Sequence, residues 1–203
     1  MDRDEQRCRD VAQALNPSGV EALTLACDIG GIESVRGAVS NVEARLGIAD
    51  VLVNDAGLLR RGGIEEIGLD AWNAMLRVNL TGYMLCSQQF GQRMLKRGTG
   101  ALVHVASVRR QPRLDWGLAG TPPRNAYGAA KTGIVAMTGS LACECARDRI
   151  RPSAGTSRRN RQRDRLSRSD AASYITGTVL SVEGPGDQAI RTTRKTPLHL
   201  KET

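Results

Sequence analysis

The sequence predicts an α/β fold, a doubly wound parallel sheet with helices on its faces. Short apolar segments alternate along the chain with longer segments of helical period, and this alternation is typical of strand–helix–strand units. The apolar segments cover residues 21–28, 50–54 and 101–106. Each of them ends at, or is directly followed by, a polar residue: Asp28, Asn54 and Ser107. Because such sheets bind ligands beyond the carboxyl ends of their strands, we expect these three side chains on one functional edge.

The helices are predicted from apolar residues that recur every three or four positions. A surface helix covers about residues 3–15 and an amphipathic helix about 31–46. Residues 69–95 keep the same period with an interruption at 79–82, which predicts two helical pieces. A further helix carries Tyr127, and an apolar strand covers 178–183.

Size and composition predict one soluble domain, since 203 residues with 40% hydrophobic content can form a continuous core. No apolar run approaches the length of about 18 residues that a membrane span needs, and the first residues do not resemble a signal peptide. We therefore expect a cytoplasmic protein. The five cysteines lack zinc or redox spacing, which predicts reduced, mostly buried thiols. With His104 and His199 as its two histidines, the chain has no candidate Ser-His-Asp triad and no histidine-based metal site.

The net charge of +8 is concentrated in one segment. Nine arginines and two aspartates between Arg147 and Arg168 give +7, so the remaining residues sum to +1. From Arg151 to Arg168 apolar residues are sparse, and we expect an irregular segment that forms neither sheet nor amphipathic helix. Contact with nucleic acid through this segment is one hypothesis, but it lacks the interleaved aromatic residues that would favour it.

Tyr127 and Lys131 are the strongest candidates for chemistry. Residues four apart lie on one face of a helix, so a phenol and an ammonium can converge there. A free phenol titrates near pH 10, and a cation about 4 Å away stabilises the phenolate by an energy on the order of 4 kcal/mol. This spacing is consistent with an acid–base tyrosine. The alternative is a buried ring beside a solvated lysine.

Taken together, the spaced motifs resemble those of the short-chain dehydrogenases/reductases in their common form. The resemblance covers about residues 1–150 and 169–184. It is carried by Asp28 after a strand, Asn54-Asp55-Ala56-Gly57, Asn79 within Val78-Asn79-Leu80-Thr81-Gly82, Ser107 at a strand end, Tyr127-x-x-x-Lys131, and Ser173-Tyr174-Ile175-Thr176-Gly177. The resemblance implies a Rossmann-like fold and an NAD(P)-dependent oxidoreductase that interconverts a secondary alcohol and a ketone.

The resemblance also implies roles for individual residues. Tyr127 would exchange the substrate's hydroxyl proton, and Lys131 would favour its phenolate and hold the nicotinamide ribose. Ser107 would bind the substrate oxygen, and Asn79 would position water behind Lys131. Asp28 would accept a hydrogen bond from the adenine amino group.

The same resemblance places the adenosine ribose of the cofactor along the backbone of Asn54, Ala56 and Gly57. It implies a small-molecule alcohol or ketone as substrate, and homo-oligomers through the helix bearing Tyr127 and the one from about 80 to 96. From the residues themselves we expect no metal. Two simpler interpretations stay open: Asn79 as a helix-kink residue and Asp28 as a strand-end cap.

The sequence departs from the family at its N-terminal side, because the Thr-Gly-x-x-x-Gly-x-Gly turn that receives the cofactor pyrophosphate is missing. We interpret the chain as truncated there, beginning where the family's second strand ends and lacking its first strands. Asp2 would then stand near the acidic position that favours NAD over NADP. A second interpretation is an inactive or assembly-only remnant of such an enzyme.

The resemblance divides the chain into four parts. Residues 1–150 form a partial Rossmann-like domain, 169–184 supply its terminal strand, and 185–203 form a polar tail. The arginine-rich segment 151–168 replaces the family's nicotinamide-side loop, and we hypothesise a shifted reading frame or a deletion there. The 20-residue separation of Ser107 and Tyr127 is long for the family, so the loop between them is a candidate for substrate choice.

Overall fold

A computed structural model describes residues 1–15, 19, 22–63, 65–106, 125–145, 148–156 and 179–180. Five α-helices and four strands are defined within these residues. The helices are α1 (Glu5–Leu15), α2 (Ile32–Leu46), α3 (Leu69–Leu76), α4 (Gly82–Arg97) and α5 (Asn125–Glu144), with a π-helix at Arg77–Thr81 between α3 and α4. The strands are β1 (Val51–Asn54), β2 (Gly100–Ala106), β3 (Ile150–Thr156) and β4 (Val179–Leu180).

The four strands form one parallel sheet in the order β1-β2-β3-β4. Asn54 at the end of β1 pairs in register with His104 of β2, so the residues after β1 lie beside Val105 and Ala106. Strand β2 is nearly buried along its whole length, as expected for a parallel strand covered on both faces. The fold is the parallel α/β arrangement that the sequence predicts.

The core lies between the sheet and helices α2 and α4. Val35 and Val39, one turn apart on α2, pack against residues of β1, α4 and β2. A smaller cluster joins α4 to α5 through Tyr83 and Ile134. The two clusters fix α4 and α5 against β2, and this positions the carboxyl end of β2 between two helices.

The predicted interruption at 79–82 is a π-helix, whose wider turn shifts the backbone bonding between α3 and α4. The amide of Gly82 bonds to the carbonyl of Arg77, five residues earlier. Gly82 is required here, because a Cβ at this position would lie 2.7 Å from Ile29 Cδ1. The prediction of two helical pieces is therefore confirmed, and the irregular turn places Asn79 at full burial.

Two expected elements differ from the structure. Residues 21–28 were expected to form a strand, but the described part of this segment makes one isolated parallel bridge, between Ala26 and Asp2. The bridge consists of two backbone hydrogen bonds of Asp2, one with Leu25 and one with Cys27. Within the described residues it does not extend into a ladder of further pairs.

The second difference concerns residues 151–156, which were expected to be irregular and instead form most of β3. This strand pairs in register with β2 from Gly100↔Ile150 to Ala106↔Thr156. Pro152, Ser153 and Ala154 are buried. Their small side chains fit under the helical layer, and backbone bonds to β2 outweigh their poor strand propensity. Residues 157–168 of the arginine-rich segment, 169–178, and the tail lie outside the described residues.

No helix in the described part of the chain is long and apolar enough to cross a membrane.

Candidate functional site

Tyr127 and Lys131 lie in the first two turns of α5, on the side that meets β2. Lys131 is 4% exposed, whereas Tyr127 is partly exposed. The Lys131 Nζ is 5.8 Å from the centroid of the Tyr127 ring. The helix and the spacing therefore bring the two side chains together, as their positions in the sequence predict.

The ammonium of Lys131 is held by two acceptors. Its Nζ donates to the backbone oxygen of Val105 at 2.6 Å and to Tyr83 Oη at 3.2 Å. Val105 is the next-to-last residue of β2, so the ammonium is fixed at the carboxyl end of a central strand. Tyr83 comes from α4 and was not identified from the sequence, because a tyrosine in an apolar helical stripe is usually a core residue.

Burial governs the charge of Lys131. Loss of hydration lowers the pKa of its ammonium to about 8, while the carboxylate of Asp55 acts in the opposite direction. Asp55 directly follows β1 and reaches the same sheet edge as Val105 through the pairing of β1 with β2. The site therefore contains a cation whose protonation changes near the physiological range.

Asn79 clamps the segment that follows β1. Its Oδ1 accepts from the backbone N–H of Leu58 at 2.9 Å, and its Nδ2 donates to the carbonyl of Leu58 at 2.7 Å. A Cβ on Gly57 would lie 3.3 Å from the same Oδ1, so a small residue is favoured there. Both polar atoms of the carboxamide are thus used on the backbone of Leu58, and Asn79 itself lies in the π-helix between α3 and α4. Water positioning by Asn79 remains a prediction.

Asn54 belongs to a buried chain of hydrogen bonds that crosses the sheet. Its Nδ2 donates to Ser87 Oγ at 3.2 Å, and Ser87 Oγ is 3.0 Å from His104 Nε2. His104 Nδ1 is 2.9 Å from Thr138 Oγ1, which donates to the carbonyl of Ile134 at 2.7 Å.

The direction of this chain follows from its two ends. Since Thr138 donates to Ile134, it accepts from His104, which carries its proton on Nδ1 and accepts from Ser87 on Nε2. Burial lowers the pKa of His104 to about 4. His104 is therefore neutral and joins α4 to α5 within this network, and Asn54 lies at the far end of the network.

Asp28 lies between the bridge at Ala26 and the start of α2, and its carboxylate is already paired. Its Oδ2 accepts from Arg77 Nη1 at 2.9 Å, and its Oδ1 accepts from the N–H of Gly30 at 3.0 Å. The hydrogen bond from Arg77 is the main cause that lowers the pKa of this carboxyl. The bond to Gly30 matches the cap interpretation. Both side chains are also partly open to solvent, at 38% for Asp28 and 44% for Arg77.

Ser107 and the loop up to residue 124 lie outside the described residues, so the predicted role of Ser107 remains a prediction. Within the described residues no group of three His, Cys, Asp or Glu side chains could hold a metal ion. The same residues contain five free cysteines, of which Cys143 is exposed and the others are buried.

Comparison with known proteins identifies the family. The model of the short chain dehydrogenase family matches residues 1–155. The chain belongs to the short-chain dehydrogenase family. This match reaches β3, so the family's sequence pattern continues through residues that were expected to be irregular.

Two relatives with named activities and one solved structure resemble this chain over most of its length. D-threitol dehydrogenase of Mycolicibacterium smegmatis is 37% identical over an alignment of 148 positions, which covers 67% of this chain and 54% of that protein. Cis-4-hydroxycyclohexanecarboxylate dehydrogenase of Sinomonas cyclohexanicum is 30% identical over an alignment of 207 positions, gaps included, which covers 86% of this chain and 80% of that protein. A crystal structure of a short chain dehydrogenase from Mycobacterium smegmatis superposes with a TM-score of 0.80 at 25% identity, covering 90% of this chain and 78% of the other. The chain spans about half the length of several curated relatives that it matches.

The family implies a nicotinamide cofactor, and the described residues fit its two nucleoside ends. Asp28 offers a partly exposed carboxylate, and the backbone of Asp55, Ala56 and Gly57 is exposed along the same edge. Lys131 holds its ammonium at the carboxyl end of β2, where the side chain is 4% exposed.

Proposed function

We propose that this chain carries the acid–base site of an NAD(P)-dependent oxidoreductase that interconverts a secondary alcohol and a ketone. The observation that carries the proposal is the anchored ammonium of Lys131, held by Val105 at the end of β2 with its Nζ 5.8 Å from the Tyr127 ring. A cation fixed beside a partly exposed phenol stabilises the phenolate, which is the form that can accept a proton from an alcohol.

In alcohol oxidation, Tyr127 takes the hydroxyl proton from the substrate, and in ketone reduction it returns a proton to the carbonyl oxygen. When bound, the nicotinamide accepts or supplies the hydride. Lys131 keeps the phenolate stabilised and contacts the nicotinamide ribose, and Ser107 binds the reacting oxygen. Asn79 positions water behind Lys131 and also fixes Leu58 in the cofactor-facing segment.

Asp28 accepts from the adenine amino group in this proposal, and Asn54, Ala56 and Gly57 line the adenosine ribose. Asp2 favours NAD over NADP. The names of two relatives support the substrate class, since D-threitol and cis-4-hydroxycyclohexanecarboxylate each contain a hydroxyl on a secondary carbon. We place the protein in the cytoplasm and expect homo-oligomers through α4 and α5.

The test has two steps. Purified protein is first titrated with NADH and with NADPH while protein and nicotinamide fluorescence are followed. It is then assayed with D-threitol and with cis-4-hydroxycyclohexanecarboxylate, alongside Tyr127→Phe. Saturable binding with turnover that the variant loses supports the proposal. Folded protein that binds neither cofactor up to millimolar concentration contradicts it.

A second candidate is a chain that keeps the catalytic helix and serves in assembly without binding cofactor by itself. The pairing of Asp28 with Arg77 favours it, because this carboxylate is already occupied. This candidate predicts a folded oligomer in sedimentation experiments and no cofactor binding, whereas the first predicts binding.

A further inference from the structure

The phenol of Tyr83 completes a closed set of hydrogen bonds around Lys131. Tyr83 Oη is 3.2 Å from Lys131 Nζ and 3.3 Å from the carbonyl oxygen of Val105, and Lys131 itself is 2.6 Å from that oxygen. Tyr83 is 0% exposed and Lys131 is 4% exposed. Three elements, α4, β2 and α5, therefore meet at one buried polar point.

The direction of these bonds is determined by chemistry. An ammonium can only donate and a carbonyl can only accept, so the Tyr83 hydroxyl must accept from Lys131 and donate to Val105. The phenol can serve in this way only while it carries its proton. Burial raises the pKa of Tyr83 far above its ordinary value, so this hydroxyl stays protonated throughout the physiological range.

The ring of Tyr83 adds a second interaction with the same cation. Lys131 Nζ lies 4.9 Å from the Tyr83 ring centroid, within the range of a cation–π contact. The corresponding distance to Tyr127 is 5.8 Å. The ammonium is thus close to two phenols, of which Tyr83 is enclosed and Tyr127 is partly exposed.

We propose that Tyr83 is a positioning residue of this site, whose enclosed phenol aims the Lys131 ammonium at Tyr127 and keeps that ammonium protonated. The inference rests on the proposed function and assigns a part in it to a residue of α4. Tyr83 acts through Lys131 and touches neither substrate nor cofactor in this account.

Other groups near this point are few in the described part of the chain. Asp55 favours the charged form of Lys131, while Tyr127 and Cys86 act on the Tyr83 hydroxyl together with Asp55. His104 is neutral and its ring lies 6.1 Å from that of Tyr83. Burial opposes the charge of Lys131, and Asp55 favours it. The hydrogen bond that Lys131 donates to Tyr83 Oη can be made by the ammonium and so also favours the charged form.

The test reads the protonation of Lys131 directly, without cofactor or substrate. The chain has four lysines, Lys96, Lys131, Lys195 and Lys201, so lysine labelled with ¹³C at Cε gives four NMR signals, and Lys131→Met identifies one of them. Tyr83→Phe keeps the ring and removes the hydroxyl. Loss of a hydrogen bond to a charged group shifts the pKa of that group by about one unit or more. We therefore expect the Lys131 pKa to fall by about one unit in Tyr83→Phe.

Met94→Leu is the matched control, because Met94 is also 0% exposed on α4 and is absent from the contacts of Lys131. A merely structural role predicts that both variants lose stability and leave the Lys131 titration unchanged. An unchanged or raised Lys131 pKa in folded Tyr83→Phe overturns the inference, whatever the activity. A shifted titration in a protein that binds no cofactor keeps the inference about Lys131 and rejects the proposed function instead.

A pH–rate profile provides the second measurement where turnover is found. Tyr83→Phe is expected to move the pH dependence of kcat by a similar amount while KM changes less, because Tyr83 does not contact the substrate. Equal profiles for Tyr83→Phe and Met94→Leu would overturn the inference.

Discussion

Lys131 Nζ donates to the backbone oxygen of Val105 at 2.6 Å, which joins the middle of the candidate site to the end of strand β2. A side-chain cation is seldom this well enclosed, since taking it out of water is unfavourable. The carbonyl of Val105 and the hydroxyl of Tyr83 compensate part of that loss. Burial of the Lys131 charge therefore lowers the stability of the fold, and groups buried at such a cost are typical of functional sites.

Replacing Lys131 by Met should separate activity from stability. At pH 7 the ammonium is charged in both the folded and the unfolded chain, and burial makes that charge unfavourable in the folded chain. We expect Lys131→Met to abolish turnover and to raise the free energy of unfolding by about 2 kcal/mol. Urea denaturation at pH 7 measures the second effect.

The pH dependence of this difference has a defined sign. The folded pKa of about 8 lies below the ordinary 10.5, so the contribution of wild-type Lys131 to stability rises with pH between these values. The difference in the free energy of unfolding between Lys131→Met and wild type should therefore become smaller from pH 8 to pH 10.5. Lys96→Met, at an exposed lysine on α4, is the control and should change little. A variant that is less stable than wild type at every pH would contradict this account.

Protonation of His104 should destabilise the fold in mild acid. Its folded pKa of about 4 lies below the ordinary 6.5, so its contribution is complete above pH 6.5 and is lost as the pH falls towards 4. The loss should reach about 3 kcal/mol. Charged His104 would carry a proton on Nε2 and could no longer accept from Ser87.

His104→Gln provides the comparison for that measurement, because glutamine does not titrate. Urea unfolding of both proteins between pH 7 and pH 4 gives the two stability curves, and their difference isolates His104 from the carboxylates. We expect the wild-type curve to fall more steeply between pH 6.5 and 4. Parallel curves would show that His104 is not held neutral.

The two proposed roles of Asp28 can be distinguished by its partner. If Asp28 accepts from adenine, Asp28→Asn should weaken NADH binding by about tenfold, since a charged acceptor is lost. Arg77→Met removes the ion pair with Asp28, whose side chains are 44% and 38% exposed, and stability should change by less than about 1 kcal/mol.

Titration of the two variants with NADH, followed by fluorescence, is the measurement. Asp28→Asn should show the weaker binding, and Arg77→Met should bind close to wild type. The cap interpretation makes a different prediction: Asp28→Asn and Arg77→Met bind NADH alike, and Asp28→Ala loses stability because it removes the acceptor for the N–H of Gly30.

The fold was largely predictable because its signals are local and periodic. Strand β1, strand β2 and helix α5 are each specified by an apolar pattern of their own residues, and Tyr127 and Lys131 meet because four residues make about one helical turn. The family of the chain follows from the same ordered motifs and is confirmed by the match over residues 1–155.

What the sequence did not predict depends on neighbours in space. Residues 151–156 have a weak strand pattern and become β3 because β2 supplies backbone partners over their whole length. No sequence pattern points to Tyr83, because its role depends on contact with Lys131, which is 48 positions away. The ion pair between Asp28 and Arg77 likewise joins residues 49 positions apart.

Gly82, the first residue of α4, should tolerate no side chain. A Cβ there would lie 2.7 Å from Ile29 Cδ1 and Cγ1 and 3.1 Å from the Ile29 carbonyl oxygen, and the carbonyl belongs to backbone that follows Asp28. We expect Gly82→Ala to destabilise the protein by about 1–3 kcal/mol through overpacking.

Gly139→Ala in α5 is the matched control, because nothing lies within 4 Å of its Cβ position. Alanine in a helix is favoured over glycine by about 0.5–1 kcal/mol, so this variant should be more stable than wild type. Denaturation of the two variants in urea measures both changes, and stabilisation by Gly82→Ala would mean that Ile29 does not pack against the start of α4.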